Sequence, residues 1–195
     1  MIAKLSDIAD IRTGLVVSRK AASLRVHSVH QYRLLTLASI ADNGDIIENK
    51  LDDFFANQKI QDMYLAKEGD IVVRLSSPNI ACYISKEYAG LLVPSQFAII
   101  RYKKKDVLSE YIGVAINSAS LQQQLRSAQR GTVIKVINTK ALRELNIPVP
   151  RIDIQEKIVA LEQLSLRRTQ LTERLIEKQI IQINFIKDKL IKENS

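Results

Sequence analysis

Residues 153–193 read DIQEKIVALEQLSLRRTQLTERLIEKQIIQINFIKDKLIKE, and the stretch contains neither glycine nor proline. Ile154, Ile158, Leu161, Leu164, Leu171, Leu175, Ile176, Ile180, Ile183, Ile186 and Leu190 recur at steps of mostly three or four, the period that lines up one face of a helix. Acids and bases of both signs fill the positions between them, as a solvated face requires. At ~1.5 Å per residue this is a helix on the order of 60 Å long, roughly twice the span of a domain of ~150 residues. Such a helix cannot be buried in its own domain, and a periodic pattern well beyond ~25 residues predicts a coiled coil or a partner helix. Ser165 and Arg168 interrupt the heptad, and the isoleucines drift around the helix from Ile176 onward. The pattern therefore favours pairing with one or more helices over a regular zipper; the competing reading lays the helix back over its own sheet. Ile158, Leu161, Leu164, Leu171, Leu175, Ile183, Ile186 and Leu190 are the candidate pairing residues.

Upstream, the chain has room for one domain over residues 1–150, with the helical part at 151–195. Pro148 and Pro150 mark the junction, because each proline disfavours helix at the residue before it. A hydrophobic content of 46% supports a normal core, and no run of ~18 apolar residues is present to span a membrane. Asp7 and Asp10 stand where an export signal needs an apolar stretch, so a cytoplasmic location is expected. The single cysteine, Cys82, excludes an internal disulfide, and two histidines, His27 and His30, are too few for an ordinary zinc site.

The formal net charge is +8, and its distribution says more than its size. From Ile11 to Ala41 there is no acid, while Arg12, Arg19, Lys20, Arg25 and Arg33 are positive. From Tyr111 to Arg143 the same holds, with Arg126, Arg130, Lys135, Lys140 and Arg143. Segregated basic windows of this kind are the footprint of phosphate binding.

Along the chain, Ser6 is placed to cap a short helix that Gly14 would stop. Gln31 to Ile40 reads as a strand, and Phe54 to Leu65 as extended or irregular. Glu68-Gly69 is a turn feeding a strand at Asp70 to Leu75, with Ile80 to Ser85 as its return partner and Phe97 to Tyr102 as a further strand. Asp106 to Arg130 changes to helical period, with Ser109 and Ser118 as candidate caps and Gly131 as the stop. Thr132 to Ile137 is strand-like, Thr139 to Leu145 suits a short helix, and Asn146 to Pro150 is extended.

Little in this sequence carries catalysis. Neither G-x-G-x-x-G nor G-x-x-x-x-G-K-[ST] occurs. Cys82 sits in an apolar run, which predicts a buried thiol and not a nucleophile. Ser77-Pro78-Asn79-Ile80 lacks the second proline and the aromatic residue that the short proline motif of amino-methyltransferases carries. Asp42, Asp45, Asp52, Asp53 and Asp70 are the densest supply of metal-ligating oxygens, and most read as solvated turn residues.

Several pieces together resemble one family. Lys4-Leu5-Ser6-Asp7-Ile8-Ala9-Asp10-Ile11-Arg12-Thr13-Gly14 resembles the opening of the target-recognition domains in type I restriction-modification specificity subunits, and Gly69-Asp70-Ile71-Val72-Val73 their central strand. Gly131-Thr132-Val133 through Leu142, Leu145-Asn146-Ile147-Pro148-Val149-Pro150 and Ile154-Gln155-Glu156-Lys157-Ile158-Val159 resemble the junction between recognition domain and conserved helix. The resemblance implies an α+β fold, a globular target-recognition domain with a mixed β-sheet and short helices, followed by one long C-terminal helix that pairs in a coiled coil. It implies a non-catalytic reader of double-stranded DNA with DNA methyltransferase (modification) subunits as partners and, in some systems, a restriction subunit. S-adenosylmethionine and ATP would then belong to those partner subunits, and this chain would hold no cofactor. No family motif marks base-reading residues, so the DNA-binding candidates come from charge and loop position: Arg12, Arg19, Lys20, Arg25, Arg33, Arg74, Ser76, Ser77, Asn79, Arg126, Arg130 and Lys135. Family members carry two recognition domains and two helices; the sequence here holds one of each, which predicts a half subunit that homodimerises through its helix to read an inverted repeat. The alternative is a coiled-coil dimeric DNA-binding regulator that acts alone.

Overall fold

The computed structural model describes residues 1–22, 28–102, 106–129 and 136–193. Met1–Glu156 form one compact unit and Lys157–Ser195 a second. The centre of the first unit is an antiparallel four-stranded sheet in the order β2-β7-β5-β6, with β2 at Ala9–Thr13, β5 at Ile71–Arg74, β6 at Ala81–Tyr83 and β7 at Phe97–Tyr102. Ile71-Val72-Val73 and Phe97-Ala98-Ile99-Ile100 are buried on both faces, which explains why both strands are continuous apolar runs and not alternating ones. Gly69 adopts φ +84 in the turn that feeds β5, a conformation that side-chain-bearing residues rarely adopt.

Strand pairing sorts the side chains onto two faces. Val72, Cys82, Phe97 and Ile99 share one face and pack with Leu35, Ile40, Ile84, Leu91 and Val93. On the other face Ile71 meets α2 (Ser109–Asn117), and Gly113 lets the helix approach closely because a Cβ there would stand 3.3 Å from Ile71 Cδ1. Burying each such side chain contributes about 1.5–3 kcal/mol. Arg101 and Asp70 extend the first face at the far end of the sheet, joined by two hydrogen bonds of 2.8 and 2.6 Å, while Asp70 Oδ2 also accepts from the Lys67 amide at 2.8 Å. A second ribbon, β3 (His30–Leu34) with β4 (Asp52–Ala56), turns Tyr32, Leu34, Phe54 and Ala56 toward Leu15, Ile60 and Leu92.

β1 (Ile2–Lys4) pairs with β8 (Asn146–Pro148), so the start of the unit is closed against its end. Three short helices complete it beside α2: α1 (Leu5–Ile8), α3 (Ala119–Ala128) and α4 (Thr139–Arg143). The Ser118 hydroxyl caps α3 by accepting from the Leu121 amide, as expected from sequence. Ser109 is not a cap: it is the first residue of α2, and Leu108 holds the cap position. The helix expected to run from Ser6 to Gly14 stops at Ile8, where β2 begins and pairs with β7 from Ala9 onward. Likewise the single strand expected over Gln31 to Ile40 ends at Leu34; Thr36 then caps a 3-10 turn at Leu37–Ser39 by accepting from the Ser39 amide. Of the segment read as extended or irregular from Phe54 to Leu65, the first three residues belong to the strand β4, which starts two residues earlier, at Asp52. Gly131 and most of Thr132 to Ile137 lie outside the described residues.

Helix α5 runs from Ile152 to Glu193 over 42 residues, matching the expected span. No helix among the described residues is long and apolar enough to cross a membrane.

Candidate nucleic-acid interface

One rim of the four-stranded sheet gathers the ends of several segments. β2 finishes at Thr13, opposite Ala98, and the Gly14 amide donates to the Phe97 carbonyl at 2.9 Å. A Cβ on Gly14 would collide with the carbonyl oxygens of Val93 and Pro94, so this close approach requires glycine. The turn Pro94 to Phe97 is closed by the Phe97 amide on the Pro94 carbonyl at 3.0 Å, and the Ser95 amide donates to Leu15 at 2.7 Å. On the other side the Leu75 amide donates to the Gln96 carbonyl at 3.0 Å, and Ser76 forms a bridge with Val136. Thr13, Gln96, Ser77 and Val136 are all exposed on this rim.

Behind the rim, buried amides fix the loop after β5. Asn79, 2% exposed, donates through Nδ2 to the carbonyls of Arg74 and Leu75 at 3.1 and 2.9 Å, and accepts at Oδ1 from Gln129 Nε2 at 2.7 Å. The Gln122 amide donates to the Asn79 carbonyl at 2.9 Å. These bonds tie the loop to α3, whose last turn carries the exposed Arg126. On the β2 side, Arg143 Nη2 donates to the Ile11 carbonyl at 2.7 Å, which brings α4 and the exposed Lys140 to the same edge. Arg12, half-buried, lies one residue before Thr13.

The competing surface is the outer face of the β3–β4 ribbon, where Gln31 and Arg33 are exposed. Its charge argues against a polyanion. Arg33 lies opposite Asp53 in the ladder and bonds Glu48 Oε1 at 3.1 Å, and Asp52 and Asp53 are exposed beside it. The rim side draws its cations from the two acid-free windows, so a phosphate approaching it meets only attraction from those windows.

The sequence candidates therefore divide. Arg12, Ser76, Ser77 and Arg126 lie at or beside the rim. Arg19 is exposed at the end of a 3-10 turn (Val17–Arg19), and the Lys20 carbonyl accepts from the Asn57 amide at 2.9 Å, so both sit beside β4. Arg33 belongs to the ribbon. Asn79 is withdrawn as a DNA contact: its amide is buried and spent on the scaffold. The Nη2 of Arg74 is likewise committed, to the carbonyls of Leu37 and Ile40 at 2.6 and 2.9 Å. Arg25, Arg130 and Lys135 lie outside the described residues. Sequence reasoning left out Thr13, Gln96 and Val136 and named Lys140 and Arg143 only as charges of the second basic window; the turn signal Pro94-Ser95-Gln96 between two apolar runs was the one available pointer to Gln96.

Among the described residues no three His, Cys, Asp or Glu side chains group as metal ligands. Burial pushes the Cys82 thiol up to about 12, with Asp45 adding to the shift. Since the thiolate is the reactive form, Cys82 is expected to resist a disulfide reagent at pH 8 in the native chain and to react fully in guanidinium, as absorbance titration would measure.

On α5, exposure of the candidate pairing residues from Leu161 onward runs from 48% at Ile186 to 67% at Leu161 and Leu164, whereas Ile158 is half-buried. Ile181, 61% exposed, lies on the side of the helix away from that stripe, and Phe185, 69% exposed, flanks its Leu171 edge.

A family model described as the type I restriction modification DNA specificity domain matches residues 1–180. No curated protein matches the chain in sequence. Among solved structures, the HsdS subunit from Thermoanaerobacter tengcongensis is similar with a TM-score of 0.67 and 16% identity over 90% of this chain and 44% of that one. A structure described as showing complex assembly and conformational transition of the type I R-M system gives 0.68 and 15% over the same shares. The type I restriction-modification S subunit from M. genitalium gives 0.51 and 11%, over 87% of this chain and 40% of that one. These are likenesses of fold, and the chain spans less than half the length of each of the three.

Proposed function

The chain belongs to the type I restriction modification DNA specificity domain family, and on that premise we propose that it reads double-stranded DNA for a restriction-modification complex and performs no catalysis itself. The observation that carries this reading is the polar rim with cations around it and no acid in the windows that supply them. Arg12, Arg126 and Lys140 would hold phosphates and set register, with Arg143 holding α4 to β2, while the side chains on the rim meet base edges. Methyl transfer from S-adenosylmethionine and ATP-driven cleavage would belong to the modification and restriction subunits, in the cytoplasm.

Two copies of the chain would pair antiparallel through the apolar stripe of α5 and read an inverted repeat, the site a two-fold protein demands. Ile181, apolar and turned away from that stripe, with Phe185 on the flank between, suits the modification subunit. Charges of both signs along α5 leave solvent-facing positions compatible with either contact.

Fluorescence anisotropy with duplex DNA across a salt series tests the phosphate role. Arg126→Ala is expected to weaken binding to all sequences alike and to reduce the slope of log K against log salt by about 1, as loss of one phosphate contact should. Arg33→Ala, already neutralised by Glu48, should leave the slope unchanged. Equal effects from the two substitutions would move the interface off the rim.

A further inference from the structure

Backbone bonding fixes the order in which residues stand along the rim. Thr13 leads, at the end of β2; Gln96 follows, in the turn just before β7; then Ser76 and Ser77 beyond β5; then Val136, which bridges Ser76 and continues the sheet where β6 has ended. With strands ~4.8 Å apart, Gln96 and Val136 stand roughly 10 Å from each other. That separation is about three base-pair steps of ~3.4 Å and fits within a major groove ~12 Å wide.

Gln96 differs from the other polar residues of the rim in its chemistry. Its amide offers a donor and an acceptor side by side, and the backbone beneath it is held from both flanks, by Leu75 at 3.0 Å and through the Ser95 amide on Leu15 at 2.7 Å. A side chain that discriminates bases needs such a fixed root. Val136 is the apolar member of an otherwise polar row and is 48% exposed. The thymine 5-methyl is the apolar group that the major groove displays.

We propose that Gln96 and Val136 are specificity-determining residues, Gln96 pairing its amide with N6 and N7 of an adenine and Val136 packing on the methyl of a thymine about three base pairs away. This rests on the DNA-reading role above.

The test is selection of binding sites from a randomised duplex pool by the 195-residue chain, by Gln96→Ala and by Val136→Ala. The duplexes selected by the wild-type chain are then remade with 7-deazaadenine for single adenines or uracil for single thymines. Wild type should lose about tenfold at one adenine on losing N7, and a few-fold at one thymine on losing its methyl. Gln96→Ala should be indifferent to the first change and Val136→Ala to the second, with every other position unaltered. Gln96→Glu, which keeps the size of the side chain but only accepts, should shift that position from adenine to cytosine. Variants that select the same motif as wild type, with the same response to both analogues, would overturn the inference while leaving the DNA-reading role standing. A wild-type chain that enriches no motif would remove the role and this inference together.

Discussion

Asn79→Ala should lower the unfolding free energy by about 3 kcal/mol, although a polar residue in a loop between two strands is usually replaced at little cost. The substitution removes two donations at 3.1 and 2.9 Å to the carbonyls of Arg74 and Leu75, and the acceptor that Gln129 uses at 2.7 Å. Each such bond contributes about 1 kcal/mol net, and a buried polar group stripped of a partner costs about 1–3 kcal/mol. Gln129 is only 8% exposed, so water replaces Asn79 poorly. Urea unfolding measures the change, with Ser77→Ala, two residues away and exposed, expected within about 0.5 kcal/mol of wild type. At temperatures where Asn79→Ala stays folded its base preference should survive, because the amide faces the protein and not the rim. Unchanged stability together with lost base preference would make Asn79 a DNA contact after all.

Asn79 also shows where the reading of sequence stops. Pattern placed β5 and β7 well because both are short β-branched runs bounded by turn residues, and it placed α5 almost to the residue because forty positions of one period leave no other solution. It failed at β1 and β2, whose partners β8 and β7 lie some 140 and 90 residues downstream and exert no local signal. The acids Asp52 and Asp53 opened β4 with the wrong polarity for a strand, and concealed it until Tyr32 and Phe54 were seen to face one core. The proposed interface was legible as charge and illegible as geometry. Acid-free windows supply the cations of the proposed rim, but Asn79 and Arg74 carry the same letters as surface residues and differ only in what surrounds them. Gln96 carries no charge and stands between two apolar runs, Leu91 to Val93 and Phe97 to Ile100, so a search on charge and loop position passed it over.

Leu171→Glu with Leu175→Glu should convert a dimer of this chain to a monomer at micromolar concentration. At 100° per residue, Leu161, Leu164, Leu171, Leu175, Ile183, Ile186 and Leu190 fall within about 120° of arc, one stripe wide enough for a pairing face. Leu171 and Leu175 stand one turn apart near its middle, each half exposed or more. The two substitutions place two carboxylates on each copy, hence four in the paired stripe, and desolvating each unpaired charge costs several kcal/mol. A total above ~4 kcal/mol raises the dissociation constant by about a thousandfold or more. Glutamate is a good helix former, and both positions lie in Lys157–Ser195, apart from the unit that holds the sheet. Far-UV circular dichroism and the unfolding of that unit should therefore be nearly unchanged while light scattering reports half the mass. DNA binding should separate in the same way: affinity for a single half-site is kept, whereas the advantage of an inverted repeat, which comes from two linked readers, is lost. A doubly substituted chain that still scatters as a dimer would put the pairing surface elsewhere, and a wild-type chain that is monomeric with and without DNA would leave the inverted repeat without a reader.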